Sequence, residues 1–159
     1  MADVLKLYKG STLVDSAERG GNGKATVKAT GLTPNTDIPV GEYQLAWEID
    51  GVEGPRVDCP AAKTKPIAVT GVTISPKTSS AEAGTAANRQ LTSTVAPTNA
   101  TNKAVSYAIS PITAGLTVNS SGLIAWTTVV PAGTYTTTVT TIDGSKKDTH
   151  VLTLTQSEG

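Results

Sequence analysis

The chain has 159 residues, 38% of them hydrophobic, with four Tyr, two Trp and no Phe. Thirteen Lys and Arg balance thirteen Asp and Glu, so the formal net charge is zero. No net field steers such a chain onto a phosphate backbone or an anionic membrane, and neither nucleic acid nor membrane is an expected partner. The lone Cys59 excludes an internal disulfide. No stretch approaches the ~18 apolar residues of a membrane span. The opening MADVLKLYKG has no apolar signal core, so synthesis in the cytoplasm without an export signal of its own is expected.

No long segment shows helical spacing of apolar residues, and period-two alternation recurs instead. Val4 to Lys9 and Ala25 to Ala29 read as short strands, with Asn22-Gly23 as a turn between them. Gly20-Gly21-Asn22-Gly23-Lys24 lacks both the spacing of a phosphate loop and a following helix, and reads as a flexible tip. Glu42 to Ile49 alternates most clearly. Tyr43, Leu45, Trp47 and Ile49 fall on one face; Glu42, Gln44, Ala46 and Glu48 fall on the other. The first face is expected to be buried and the second wet. Asp50-Gly51 then fits a two-residue type I′ hairpin, whose central positions both need φ above zero. This first region is expected to hold four or five strands and to close on that hairpin.

Chemistry changes near Lys63-Thr64-Lys65-Pro66. Up to Pro66 there are eight Lys/Arg and nine Asp/Glu; beyond it the totals of thirteen leave five and four. A Pro-bearing segment at a composition shift marks a domain boundary, giving residues 1–66 and 67–159.

In the second region, strands are expected around Val72 and Ile74, Leu91 to Val95, Val105 to Ile109, Leu116 to Val118, Leu123 to Trp126, Gly133 to Ile142 and Lys147 to Thr155. Their spacing predicts a sandwich of two antiparallel sheets. Threonine at many strand positions suits a pleated surface facing water. Ser79 to Ala87 reads as a loop or irregular edge. The tripeptide Ile-Asp-Gly of the first hairpin recurs at Ile142-Asp143-Gly144, so each copy is expected to turn the last two strands of its region. The fold class read from these patterns is all-β, two small sandwiches in tandem.

Residues with chemical potential are few. His150, the only histidine, lies in an expected strand with no Gly-x-Ser-x-Gly elbow in the chain, and reads as a surface or rim residue. One His and one Cys cannot assemble a standard zinc site, and Cys59 reads as a small, partly buried residue ending a strand. Glu48, Asp50 and Glu53 cluster around one hairpin, and Asp143 and Asp148 flank the other. Neither group has the oxygen spacing of a calcium loop. Trp47, on the apolar phase of its strand, reads as core, whereas Trp126 lies in a run that does not alternate. Asn99-Ala100-Thr101 and Asn119-Ser120-Ser121 read as ordinary loops rather than glycan acceptors. No catalytic, cofactor-binding or metal-binding residue is expected. The residues that meet a partner are not identified by sequence, and the N-terminal domain is favoured as their location.

Residues 67–156 resemble the bacterial immunoglobulin-like domain of group 2. The likeness rests on Val72-Thr73-Ile74-Ser75-Pro76, on the run from Ala96 to Tyr107 (APTNATNKAVSY), on Ser121-Gly122-Leu123-Ile124, and on Thr140 to Lys146 (TTIDGSK). Family members usually carry Trp where Tyr107 stands, and their Gly-Thr-Ala-x-Ile run stands here as Gly133-Thr134-Tyr135-Thr136-Thr137-Thr138-Val139. Residues 4–60 are similar to a shortened fibronectin type III domain through Gly31-Leu32-Thr33-Pro34-Asn35-Thr36, with Ile38 in place of the aromatic that follows this turn.

Together the pair resembles small virion proteins of tailed bacteriophages. That resemblance implies a non-enzymatic structural protein decorating the capsid, with the major capsid protein as partner, the N-terminal domain docking on the lattice and the Ig-like domain projecting. It also implies weak contact with bacterial surface glycans. A tail-tube ornament, with the tail tube protein as partner, and a bacterial surface adhesin module binding glycan or protein are the alternatives. An exposed sheet edge leaves self-association as a homo-oligomer open.

Overall fold

The computed structural model describes residues 2–156, and every regular element in it is a strand. The chain forms two compact units, Met1–Pro66 and Ile67–Gly159. Both are small β-sandwiches.

The first unit contains β1 (Val4–Lys9), β2 (Thr12–Glu18), β3 (Asp37–Ile38), β4 (Tyr43–Ile49), β5 (Val52–Glu53), β6 (Val57–Asp58) and β7 (Ala62–Lys63). Its main sheet runs β2-β1-β4-β5, with β6 also paired to β4; β3 and β7 form a separate ladder. Ile49 faces Val52 across the first Ile-Asp-Gly, and Asp50 and Gly51 take φ of 50° and 82°. This is the expected type I′ turn. It does not close the unit, because β6 and β7 follow it.

Two other expectations fail here. β2 escapes period-two reading because a bulge shifts the register between Leu7 and Tyr8, whose partners are Asp15 and Leu13. Leu13 and Val14 are consecutive and both exposed as a result. Ala25 to Ala29 joins no ladder; the Lys28 amide donates to the Asp15 carboxylate at 2.6 Å. The tip at Gly20 to Lys24 is tied rather than loose. The Gly20 amide donates to the Lys24 carbonyl at 2.8 Å, and the Gly23 amide to the Gly20 carbonyl at 2.9 Å.

The second unit contains β8 (Gly71–Ser75), β9 (Thr78–Glu82), β10 (Ala87–Gln90), β11 (Thr92–Ala96), β12 (Val105–Ser110), β13 (Leu116–Val118), β14 (Leu123–Trp126), β15 (Gly133–Thr141) and β16 (Lys147–Thr155). One layer is β12-β15-β16-β9. The other is built from β8-β11 and β10-β14-β13. β10 and β11 are one run interrupted at Leu91, whose amide donates to the Gly122 carbonyl at 3.0 Å. Between the layers lies a single core, with Ile124, Val139 and Leu152 fully enclosed beside Ile74, Leu91, Trp126 and Leu154.

The expected loop or irregular edge at Ser79 to Ala87 contains β9, an edge strand that pairs parallel with β16, so the unit is not purely antiparallel. Side chains reinforce this alignment. The Val69 amide donates to Asp143 (2.9 Å), the Ile74 amide to Asp148 (2.7 Å), and the Thr155 hydroxyl to the Ala81 carbonyl (3.4 Å). Each contact joins residues 74 apart, and a separation that stays the same along both segments is the mark of a parallel course. The second Ile-Asp-Gly therefore does different work from the first. Its loop is longer, with the Thr141 amide donating to the Lys146 carbonyl, and the positive φ values sit at Gly144 and Ser145 rather than at Asp143. Asp143 is held in a conformation that lets its carboxylate reach Val69.

Threonine on β15 does not all face water. Tyr135, Thr137, Val139 and Thr141 form the inward phase, and Thr137 and Thr141 are enclosed. The Thr141 hydroxyl donates to the Asp143 carbonyl (2.6 Å) and accepts from the Lys146 amide (2.9 Å), which satisfies it. The Thr137 hydroxyl has no partner among the described residues.

A buried hydroxyl without a partner costs stability that a methyl of the same shape does not. Thr137→Val is expected to stabilise the second unit by about 1 kcal/mol, measured by urea unfolding. Lys77, and then the Ile74 amide, hold the Asp148 carboxyl below the ordinary Asp range. A lowered folded pKa adds stability above the unfolded value of about 3.9, and that stability is lost as pH falls through the folded value. Asp148→Asn is therefore expected to lower the urea midpoint at pH 7 and to flatten its decline in acid.

Candidate attachment face of the N-terminal unit

Residues directly opposite one another in a sheet share a face. Leu5 stands opposite Trp47, Leu7 opposite Leu45, Leu45 opposite Val57, and Ile49 opposite Val52. One face of the β1-β4-β5/β6 sheet is therefore a continuous apolar field. It is covered over Leu7 and Tyr43 but not beyond them: Ile49, Val52 and Val57 are 51%, 71% and 64% exposed. Leu45, Trp47, Ile49, Val52, Gly54, Pro55 and Val57 line an open depression of about 470 Å³. The expectation that this phase of β4 is buried thus fails over its second half.

Trp47 is half-buried in the depression rather than in a core. The Arg19 guanidinium lies 4.9 Å from its ring centre, a cation–π contact. The Gly54 amide donates to the Trp47 carbonyl at 2.8 Å, folding the β5–β6 connection against β4.

The opposite face, expected to be wet, carries a charged cluster. Lys6 pairs with Glu48 and lies 3.5 Å from Glu53. The Tyr8 hydroxyl donates to Glu53, and the Arg56 guanidinium stacks 3.6 Å from the Tyr8 ring centre while donating to the Gly10 carbonyl at 2.8 Å. The Tyr8 hydrogen bond and Arg56 hold the Glu53 carboxyl below its ordinary range. Ala46 is enclosed beneath this network, 2% exposed. Glu48 and Glu53 thus have cationic partners, and the cluster ties β1 to the β5–β6 edge that frames the depression. Asp50 stays in the exposed turn.

The remaining singled-out residues are not among those that form this face. Cys59 follows β6, half-buried as expected; its amide donates to the Tyr43 carbonyl at 2.9 Å. Trp126 is core in the second unit, 3% exposed, and its indole N–H has no partner among the described residues.

His150 is not a rim residue. It is fully enclosed, on the inward phase of β16 with Leu152 and Leu154. That phase was the available signal in the sequence. Its Nδ1 lies 2.7 Å from the Pro76 carbonyl, so Nδ1 carries the hydrogen; in the neutral ring Nε2 accepts from the Ser79 hydroxyl at 3.0 Å. The pairing of Ser79 with His150 is not a triad. A peptide carbonyl occupies the place of the orienting acid. Asp148 is committed to Lys77 and to the Ile74 and Thr149 amides. His150 is another pin between the first and last strands of its unit. Asn119 likewise serves a turn, its side-chain oxygen accepting from the Ser121 and Leu123 amides.

The two tryptophans should separate by quenching. A Trp126→Phe variant, which retains Trp47, is expected to show a several-fold larger acrylamide quenching constant than Trp47→Phe, which retains the enclosed Trp126.

Residues 66–157 match the He_PIG family, described as "Putative Ig domain". No curated protein matches the chain. Among solved structures, Drosophila N-cadherin EC1-4 is similar at TM-score 0.55 and 10% identity, over 99% of this chain and 41% of that one. A titin I-band fragment, I67-I69, is similar at TM-score 0.53 and 12% identity, over 98% of this chain and 55% of that one. The chain thus spans less than two-thirds of either structure, and identities this low carry the fold alone. With more than half of its residues matched by that model, the chain belongs to the He_PIG family of Ig domains.

Proposed function

We propose that the chain is a non-enzymatic structural protein of a phage particle. The N-terminal unit docks on the capsid lattice through its bare apolar face, and the Ig domain projects outward. The observation that carries docking is the position of Ile49, Val52 and Val57, three large apolar side chains exposed side by side around a depression that holds Trp47. Exposed apolar patches of this kind mark interaction sites. The particle itself enters through the resemblance of the paired domains to virion proteins. Ig-like folds serve mostly as binding or structural domains, which supports a role without bond-making. Many copies on a repeating lattice make weak single contacts sufficient. The major capsid protein is the proposed partner and the virion the proposed location.

Co-sedimentation with capsids of the encoding phage tests this. Val52→Glu combined with Val57→Glu is expected to weaken binding by roughly a hundredfold, because charges placed in the centre of an apolar contact must be desolvated. Undiminished binding by that variant, or by a chain lacking residues 1–66, contradicts the docking assignment. Binding to tail tubes instead of capsids moves the platform. A saturable signal on a glycan array, with no particle binding, replaces the reading with that of a surface adhesin.

A further inference from the structure

The second unit presents an unpaired sheet edge. β12 pairs only with β15, leaving its other side without a strand among the described residues. The Ala104 carbonyl accepts from the Ile142 amide, which fixes the alternation. Ser106, Ala108 and Ser110 direct their backbone groups toward β15, and Val105, Tyr107 and Ile109 direct theirs outward. Side chains follow the same alternation. Val105, Tyr107 and Ile109 pack on the core, while Ser106, Ala108 and Ser110 are exposed.

Sheet edges are ordinarily protected by charge, by proline within the strand, or by brevity. β9, the other edge of this layer, begins just after Lys77 and ends on Glu82, and β13 spans only three residues. β12 has six residues with no charge and no proline among them; Lys103 and Pro111 stand just outside its two ends. From Ala104 to Ile142 the sequence contains no Lys, Arg, Asp or Glu. Tyr107 also anchors the strand to the opposite layer. Tyr107 donates to the Ser93 hydroxyl at 2.9 Å, and its ring lies where a Cβ on Gly122 would come within 2.9 Å, so position 122 admits only glycine without displacing it.

We propose that β12 pairs antiparallel with β12 of a second copy of this chain, about a twofold axis at Tyr107. In that register Val105 of one copy faces Ile109 of the other, and the outward groups of both strands close about six inter-chain hydrogen bonds. The occupant is a second copy for two reasons. An uncharged edge accepts an uncharged strand without desolvating a charge, and β12 is itself such a strand. A formal net charge of zero also leaves no net repulsion between copies. This pairing concerns the Ig domain and does not depend on the platform proposed for the first unit.

Sedimentation equilibrium of the full chain over a micromolar range tests it. The wild type is expected to show a concentration-dependent monomer–dimer equilibrium. Ala108 is exposed at the middle of the strand, and its two copies lie diagonally across the proposed seam on one face. Ala108→Lys alone and Ala108→Glu alone are each expected to raise the dimer dissociation constant about tenfold or more, with thermal melts that match the wild type at concentrations where it too is monomeric. An equimolar mixture of the two is expected to restore dimers. A wild type monomeric throughout overturns the proposal. So does a dimer indifferent to Ala108→Lys, or one abolished by Val52→Glu, which places the contact on the first unit.

Discussion

A β-sheet has two faces, and a unit of some sixty residues has too little chain to cover both. Small domains bury only about 60% of the surface their unfolded chains expose. The N-terminal unit shows where that shortage falls. Its enclosed apolar residues are Leu7, Tyr8, Tyr43 and Ala46, whereas the Ig domain gathers fourteen into one cluster. The charged network of Lys6, Tyr8, Glu48, Glu53 and Arg56 closes one face, and covering segments close part of the other. What remains is Trp47 and its aliphatic neighbours, and the proposed attachment to a partner follows from that shortage.

The Ig domain meets the opposite difficulty. Its core is ample, but its first strand divides its pairing between two layers: β8 belongs to one and β9 to the other. Such a strand gains only short ladders from each sheet. Side chains of the last hairpin and strand supply the difference, with Asp143, Asp148 and His150 each bonding a backbone group of the first segment. The same arrangement gives Asp143, Asp148 and His150 a structural role.

Period-two patterns revealed most strands of the Ig domain, because apolar residues there face one core and alternate cleanly. They also located the turn at Asp50-Gly51, where two residues must both adopt positive φ. They failed where a second influence displaced the simple rule. β2 was hidden by a bulge, and Ala25 to Ala29 alternates but bonds to a side chain instead of a strand. On β4 the phase was read correctly while its burial was not, since alternation says which residues share a face and not whether anything lies against it. Thr137, Thr141 and His150 sat on the inward phase of their strands, yet their chemistry suggested the outside. The bare apolar face was invisible for a related reason: its residues come from β1, β4, β5 and β6, and only the pairing register brings them together.

The parallel course of the segment from Val69 to Glu82 and that from Asp143 to Thr155 has a mechanical meaning. Chain entering the Ig domain and chain leaving it travel in one direction along neighbouring tracks, so they emerge at opposite ends. Tension applied through the two ends loads the intervening bonds sideways and together, instead of peeling them one after another. A domain threaded in this way resists stretching along its length and yields more readily to a pull across it.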